Sequence, residues 1–372
     1  MSLKDLVSMS NRYGSDEEYV LAGGGNTSYK ENGILYVKGS GAQLSDIKTE
    51  QFVAMDIQKL HDMIVRVYPE NMSNDERESY ALADMMAARK PGEENKRPSV
   101  ECVLHAIFPY KLVLHLHPPL INGLTCGIDG KDACAELFGT KAVWIDLTKP
   151  GLILSQVCNN AFNAYTEKYG KYPQIVILQN HGVFVAADTL DEIDRLMGYV
   201  VDTIKSRVKD YPDFSEIKSS LDPDNIENIK DQLKTLYSEN NTGEVLFCTN
   251  KQVDEIVSDI DSFKPVSKPF SPDHIVYCKD IPLFIEPGDD IAEKFNSYTE
   301  RKGYKPNIVA VRGAGFFALG TDPKRAAQAK ALFLDAIKIA VYAKSFGDAN
   351  PLPEEFTEFI LNWEVEAYRI KT

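Results

Sequence analysis

Residues 112–119 read LVLHLHPP and carry two of the six histidines in this 372-residue chain. The apolar, partly β-branched run before the prolines predicts a buried strand that ends at Pro118. Strand residues two apart point to the same face, so His115 and His117 are predicted to lie side by side. Two imidazoles at a strand end can form half of a zinc site, although they can equally be two polar residues that close a strand.

A third histidine follows another apolar strand. In QIVILQNHG, residues 174–182, a strand over 175–178 leads into the turn Asn180-His181-Gly182. Gly182 is expected to supply the unusual backbone angles of that turn. A lone histidine there would more often be structural. Three histidines at strand ends, with the other three elsewhere, match the three protein ligands of a catalytic zinc site with an open fourth position.

An acid–base candidate lies upstream, in PSVECVLH at residues 98–105. Ser99 is predicted to cap a helix on which Glu101 and His105 share one face. A glutamate in the first turn is also explained by the helix dipole, which favours a negative charge there. The functional alternative is that Glu101 faces the metal pocket and moves protons.

Two glycine turns flank a short strand: AGGGNTSYK at 22–30 and VKGSGAQL at 37–44. Backbone N–H groups in such turns can hold an anion such as phosphate, with help from neighbouring side chains of Asn26, Ser28, Lys38 and Ser40. A tight glycine hairpin is the plain alternative. Neither turn has the spacing of a P-loop or of the dinucleotide-binding GxGxxG motif.

In order, GGGNTS (23–28), KGSG (38–41), PSVE with a histidine four residues after the glutamate (98–105), HLHP (115–118) and NHG (180–182) resemble the class II aldolase/adducin family. The resemblance covers about residues 10–205. It implies an α/β protein with a three-layer α/β/α fold and a mostly antiparallel central sheet. It also implies site residues: Zn²⁺ or another divalent metal bound by His115, His117 and His181, Glu101 as the catalytic acid/base, and Asn26, Ser40, Gly41 and Ser99, with Lys38 beside them, as phosphate-binding positions.

Within the family, LYVKGSG and PSVExxxH most resemble the aldolase half of bifunctional rhamnulose-1-phosphate aldolase/alcohol dehydrogenase proteins. Those proteins continue into a short-chain dehydrogenase domain, which does not follow Thr372, so only carbon–carbon chemistry is expected here. Val100 replaces a second serine found in simpler members, which removes one phosphate donor. No motif matches the catalytic tyrosine of some members.

The resemblance implies a zinc-dependent aldehyde-lyase. It would cleave a ketose 1-phosphate, such as rhamnulose 1-phosphate or fuculose 1-phosphate, by a retro-aldol reaction through a metal-bound enediolate. Glu101 would transfer the proton at the enediolate carbon, and its pKa is expected to be raised towards neutrality. The alternatives are an epimerase, dehydratase or decarboxylase on a related sugar phosphate, or a non-catalytic adducin-like scaffold. The retained glutamate and histidines argue against the scaffold.

The composition of the chain limits its possible partners, the size of its core and its expected location. A net charge of −14 argues against nucleic acid or an anionic membrane as a partner, and leaves a small-molecule sugar phosphate as the expected one. A hydrophobic content of 44% supports one large core or two moderate ones. The six cysteines show no CxxC spacing, as in reduced cytosolic proteins. No signal peptide or membrane-spanning window is visible, so a cytoplasmic location is expected.

Three segments are predicted: an aldolase-like domain over 1–205, a helical connector over 206–244 that contains a helix start at Asp222-Pro223, and a second unit over 245–372. PQIVILQNHGVFVAADTLDEID (173–194) aligns without gaps on PNIVAVRGAGFFALGTDPKRAA (306–327). The second unit is therefore predicted to be a degenerate copy of the first without its metal ligands, and SPDHIVYCKDIPLFIE (271–286) is expected in place of the Ser99–His117 region. The alternative is that two unrelated strand–turn–helix units have converged on similar sequences.

The degenerate copy is expected to serve packing, and the chain is expected to form a homo-oligomer. Near the C-terminus, Phe356, Phe359, Ile360 and Trp363 recur at helical spacing. This pattern predicts an amphipathic helix that caps the fold or docks on another subunit.

Overall fold

The computed structural model describes residues 2–67, 69, 72–238 and 242–362, which form two compact units. Within those residues the first unit comprises 2–125 and 130–207, and the second comprises 126–129 and 208–362. No helix in the described ranges is long and apolar enough to cross a membrane. The domain limits drawn from the sequence at 205 and 244 stay a prediction.

The first unit is built on a seven-stranded sheet with the strand order β3-β2-β1-β4-β7-β6-β5. Neighbouring strands are antiparallel except for the parallel pair β5 and β6. Its elements are α1 (Leu3–Gly14), β1 (Asn26–Glu31), β2 (Ile34–Lys38), β3 (Phe52–Asp56), α2 (Ile57–Ile64), α3 (Asn74–Ala87), α4 (Cys102–Ile107), β4 (Leu112–Leu116), α5 (Pro119–Thr125), α6 (Gly130–Phe138), β5 (Val143–Ile145), α7 (Leu152–Tyr169), β6 (Ile175–Leu178), β7 (Gly182–Ala187) and α8 (Leu190–Lys205).

Helices cover both faces of this sheet, because the central strands are apolar on both sides. Val113 and Phe184 point to one face and join a core with side chains from α2, α4 and α7. Leu114 and Val183 point to the other face, where α5 and α8 pack, and they are equally buried. The predicted three-layer α/β/α fold with a mostly antiparallel sheet is confirmed.

The second unit has a four-stranded sheet with the order β8-β11-β10-β9. Its elements are α9 (Pro223–Tyr237), β8 (Glu244–Cys248), α10 (Lys251–Ile256), α11 (Ile260–Phe263), α12 (Pro272–Cys278), β9 (Leu283–Ile285), α13 (Ile291–Lys302), β10 (Ile308–Val311), β11 (Gly315–Gly320), α14 (Pro323–Ala343) and α15 (Glu354–Asn362).

Two helices of this unit correspond to predicted segments. Helix α9 starts at Pro223, and the Asp222 side chain accepts a hydrogen bond from the Asn225 N–H, as the sequence predicts. Leu233 on α9 is fully buried in the core of the second unit, so part of the expected connector packs on that sheet. In α15, Phe356 and Ile360 are buried, whereas Trp363 lies outside the described residues.

The second sheet repeats the connectivity of half of the first. The hairpin β10–β11 has the parallel neighbour β9 and the antiparallel neighbour β8, just as β6–β7 has β5 and β4. The two units thus share a four-stranded arrangement, and the identification of the second unit as a degenerate copy of the first stays a prediction.

The prediction that residues 271–286 take the place of the Ser99–His117 region in the second unit was wrong. Strand β9 from this segment takes the position of β5, and β8 takes the position of the histidine-bearing strand β4. The sequence similarity between the two units is confined to the hairpin and the helix that follows it, so it does not predict which strands flank the hairpin.

Candidate metal centre

Three histidines converge at one end of the first sheet. His115 is in β4, His117 follows that strand, and His181 lies in the turn between β6 and β7. One ring nitrogen from each lies within 4.8 Å of the others. His115 and His181 are 0% and 9% exposed, and His117 is half-buried. The structure thus brings together the three residues predicted as metal ligands.

The close approach of the two histidine-bearing segments depends on Gly182. A methyl group at this position would lie 2.3 Å from the Leu116 carbonyl oxygen and 2.7 Å from Cδ2 of His117. The expectation that Gly182 supplies unusual backbone angles is wrong, because the positive φ of this turn, 53°, belongs to Asn180. Glycine is needed at 182 for space.

The hydrogen bonds of His115 fix its tautomer. Its Nδ1 lies 3.0 Å from the Val183 carbonyl oxygen, which can only accept, so Nδ1 carries the proton and Nε2 carries a lone pair. This Nε2 lies 2.8 Å from Nε2 of His117 and 3.3 Å from Oε2 of Glu101. A lone pair that faces a carboxylate is unfavourable unless a cation lies between them.

Glu101 completes the convergence. Its Oε1 lies 3.3 Å from Nε2 of His181, and this buried oxygen accepts no hydrogen bond from the described residues. Three imidazole nitrogens with a carboxylate beside them are a donor set that suits zinc and similar divalent cations. The residues present therefore fit a divalent metal.

Burial sets the charge states of the site. Burial lowers the pKa of His115 well below its usual value, so the imidazole is neutral, as a metal ligand must be. Burial raises the pKa of Glu101, whereas positive charge held among the three imidazoles and the Asn26 amide donor lower it, and the net shift is downward. The expectation of a Glu101 pKa raised towards neutrality is therefore not met, because it weighed burial without the neighbouring imidazole rings.

Ser99 and Glu101 form a turn that precedes the helix. Helix α4 begins at Cys102, with Glu101 as its N-terminal cap, so Ser99 is not the cap that the sequence predicts. The Ser99 hydroxyl accepts a hydrogen bond from the Glu101 N–H at 3.3 Å, and its carbonyl accepts one from the Cys102 N–H. This extra turn aims Glu101 at the histidines.

The two glycine turns come together beside this site. The Ser40 N–H donates to the Arg97 carbonyl and the Ser99 N–H donates to the Lys38 carbonyl, so residues 38–41 and 97–99 run side by side. The Lys38 ammonium donates to the Gly23 carbonyl at 3.1 Å. Several turn N–H groups are thus already bonded. In the described structure, the Ser40 hydroxyl and the Gly41 N–H have no protein partner.

Asn26 has a place that the sequence did not indicate. It lies opposite His115 on the neighbouring strand, and its Nδ2 donates to Oε2 of Glu101 at 2.6 Å. Its Oδ1 is hydrogen-bonded to His105. The helical spacing predicts that His105 shares a face with Glu101, but it predicts no role for His105. No spacing rule links Asn26 to residues 101 and 105, so this contact could not be predicted from the sequence.

The equivalent place in the second unit has no such ligands. Cys248 pairs with Phe316 as Leu116 pairs with Val183, so Phe247 and Thr249 stand where His115 and His117 do. Ala314 stands in the place of His181. The spatial need for glycine persists, because a methyl at Gly315 would lie 2.5 Å from the Cys248 carbonyl oxygen.

A family model described as "Class II Aldolase and Adducin N-terminal domain" matches residues 4–208. A curated relative, the "Uncharacterized oxidoreductase YuxG" of Bacillus subtilis (strain 168), is 24% identical over 424 residues. That match covers 99% of this chain and 58% of the relative, so the chain spans little more than half of the relative's length.

Solved structures with similar folds cover about half of the chain. The N-terminal class II aldolase domain of a conserved protein from Thermoplasma acidophilum is 25% identical with a TM-score of 0.46, and the match covers 55% of this chain and 93% of that one. The L-fuculose-1-phosphate aldolase from Thermus thermophilus is 14% identical with a TM-score of 0.35, covering 54% and 92% respectively.

Proposed function

Because this chain belongs to the class II aldolase and adducin N-terminal domain family, we propose that it is a metal-dependent lyase that cleaves a ketose 1-phosphate. The observation that carries the proposal is the convergence of three imidazoles and an ionised, hydrogen-bonded carboxylate at one buried point. Family membership supports the broader statement of an aldolase-type enzyme. The substrate, the bond cleaved and zinc as the metal are our proposal.

His115, His117 and His181 would hold the metal, which when bound supplies an electrophile that polarises a carbonyl group. Glu101 is ionised at neutral pH, and its Oε1 accepts no hydrogen bond from the described residues. It is thus in the form that receives a proton and can return it to carbon. His115, His181 and Glu101 are each less than 10% exposed, and this burial strengthens the electrostatic interactions among them.

The proposed cleavage balances in atoms and charge. The bond between C3 and C4 of the ketose 1-phosphate breaks, and its electron pair stays on the C1–C3 fragment as an enediolate. C4 becomes the aldehyde carbon, and the ionised Glu101 carboxylate takes up the proton that leaves the C4 hydroxyl. Glu101 then returns this proton to C3, which gives dihydroxyacetone phosphate and restores the carboxylate.

The phosphate is proposed to lie at the paired turns 38–41 and 97–99. The Ser40 hydroxyl and the Gly41 N–H are donors without a protein partner in the described structure, and the Ser99 hydroxyl and Lys38 lie beside them. Backbone and hydroxyl donors of this kind suit an anion even in a chain of net charge −14, because only local groups contact it.

The test is product release by the metal-loaded protein. Incubation with rhamnulose 1-phosphate or fuculose 1-phosphate should yield dihydroxyacetone phosphate and an aldehyde. Glu101→Gln should retain the metal and lose about 10²–10⁴-fold in turnover, as expected for a lost proton-transfer group. Glu136→Gln is the matched control, since its carboxylate is exposed and pairs with Arg207.

Full turnover by Glu101→Gln with metal bound would contradict the assigned role. Formation of an epimer, a dehydrated sugar or carbon dioxide would identify a different reaction on the same site. Light scattering tests the expected homo-oligomer, and elemental analysis identifies the metal.

A further inference from the structure

A buried line of hydrogen bonds leads from Ser28 through His105 and Asn26 to Glu101. Ser28 Oγ lies 2.7 Å from His105 Nδ1, His105 Nε2 is bonded to Asn26 Oδ1, and Asn26 Nδ2 lies 2.6 Å from Glu101 Oε2. Ser28 and His105 are fully buried, and Asn26 nearly so. Each member therefore depends on its protein partners rather than on water.

The direction of these bonds follows from the chemistry of the groups. An amide oxygen only accepts, so His105 Nε2 carries the proton that it donates to Asn26. Burial lowers the pKa of His105 to about 3, so the ring is neutral and its Nδ1 accepts from the Ser28 hydroxyl. Asn26 is left with its N–H₂ group directed at Glu101. The opposite amide orientation would set two donors together and two acceptors together.

This line makes the two oxygens of Glu101 different. Oε2 is held by Asn26, whereas Oε1 accepts no hydrogen bond from the described residues and lies 3.3 Å from His181. A carboxylate that lost the Asn26 donor would be free to rotate about its terminal bond. Proton transfer requires a defined donor–acceptor geometry, so such rotation would slow it.

We propose that His105 is a positioning residue: by fixing the amide of Asn26, it holds Glu101 with Oε1 directed at the substrate. This inference rests on the proposed role of Glu101 in proton transfer. It also assigns the side chain of Asn26 to Glu101 rather than to the phosphate.

A purely structural role for His105 makes a different prediction. The ring also packs edge-on against Phe184, with centroids 5.4 Å apart, and Phe184 stacks on His115 at 3.9 Å. If packing alone mattered, an apolar residue of similar size would serve, and any damage would appear as lost metal or lost stability. A positioning role predicts lost turnover with metal and stability retained.

The experiment compares His105→Leu, which fills space without an N–H, with His105→Gln, which keeps an N–H donor. His105→Leu should lower kcat by about 10- to 100-fold, the scale of a misplaced catalytic group, with KM and metal content little changed. His105→Gln should recover a large part of that loss. Ser28→Ala should lower kcat by a smaller factor. Ser155→Ala should leave kcat unchanged, since this equally buried serine donates its hydroxyl to the carbonyl of Gly151, four residues back along the chain.

A second readout does not depend on activity. Nitrogen-15 spectra of histidine-labelled protein should show His105 as a neutral ring protonated at Nε2, and Ser28→Ala should shift that tautomer equilibrium. A ring protonated at Nδ1, or normal kcat in metal-loaded His105→Leu, would overturn the inference. If the wild-type protein cleaves no ketose 1-phosphate, the proposed substrate fails while the spectra still decide the direction of the hydrogen-bonded line.

Discussion

Replacing Gly182 with alanine should damage the metal centre from outside its ligand set. The added methyl would meet the Leu116 carbonyl oxygen at 2.3 Å and His117 Cδ2 at 2.7 Å, whereas ordinary contacts begin near 3.4 Å. One neighbour is backbone inside a paired strand, so the strands must separate by about 1 Å or the His117 ring must move. Overpacking of this kind costs about 1–3 kcal/mol in unfolding free energy.

The effect on the metal should exceed the effect on the fold. Metal–ligand distances tolerate about 0.2 Å, and His117 would have to move by more than that. We expect Gly182→Ala to lose about 10- to 100-fold in metal affinity, the scale seen when groups that orient ligands are altered. Competition with a chromogenic chelator measures the affinity, and urea unfolding followed by circular dichroism measures the stability.

Two other glycines provide controls. Gly198 lies inside helix α8 with nothing within 4 Å of an added methyl, so Gly198→Ala should stabilise the protein by about 0.4–1 kcal/mol and leave metal affinity unchanged. Gly315→Ala should destabilise the second unit without touching the metal. Wild-type metal affinity and stability in Gly182→Ala would refute the steric reasoning.

Three further outcomes are expected. Elemental analysis of the reconstituted protein should find about one metal ion per chain and not two, because Phe247, Thr249 and Ala314 replace the ligands in the second unit. The unfolding free energy of the metal-free protein should fall as the pH drops from about 6.5 towards 3, because unfolding lets His105 take up a proton that burial excludes in the folded state. His105 alone accounts for a slope of up to about 1.4 kcal/mol per pH unit. His105→Gln should remove that part of the slope. A thiol reagent should label all six buried cysteines after urea unfolding, whereas rapid labelling of the native protein would contradict their burial.

The local sequence was enough to predict the three candidate metal ligands, whereas the arrangement of the main sheet was implied by the family resemblance. Each predicted ligand follows or ends an apolar strand, and strand ends meet at a sheet edge, so the sequence alone predicts that His115, His117 and His181 lie close together. The capping residue Asp222 was equally predictable, since it lies directly before a proline at a helix start.

The predictions that were wrong concern properties set by residues distant in sequence. Burial alone would raise the pKa of Glu101, and groups from other segments lower it: the Asn26 amide and positive charge held among the three imidazoles. The need for glycine at 182 comes from the backbone of β4, and the side-chain bonds of Asn26 come from α4. The position of 271–286 was misjudged for the same reason, because strand pairing is a property of the sheet rather than of the segment.

The two similar hairpins, β6–β7 and β10–β11, can be compared with each other within one molecule. Gly182 and Gly315 face the same steric demand, yet only the first lies beside imidazoles. A sequence constraint found in both hairpins follows from strand geometry. A constraint found only in the first hairpin follows from the chemistry of the site. Measured side by side in one molecule, under identical solution conditions, the two hairpins separate what the backbone requires from what the reaction requires.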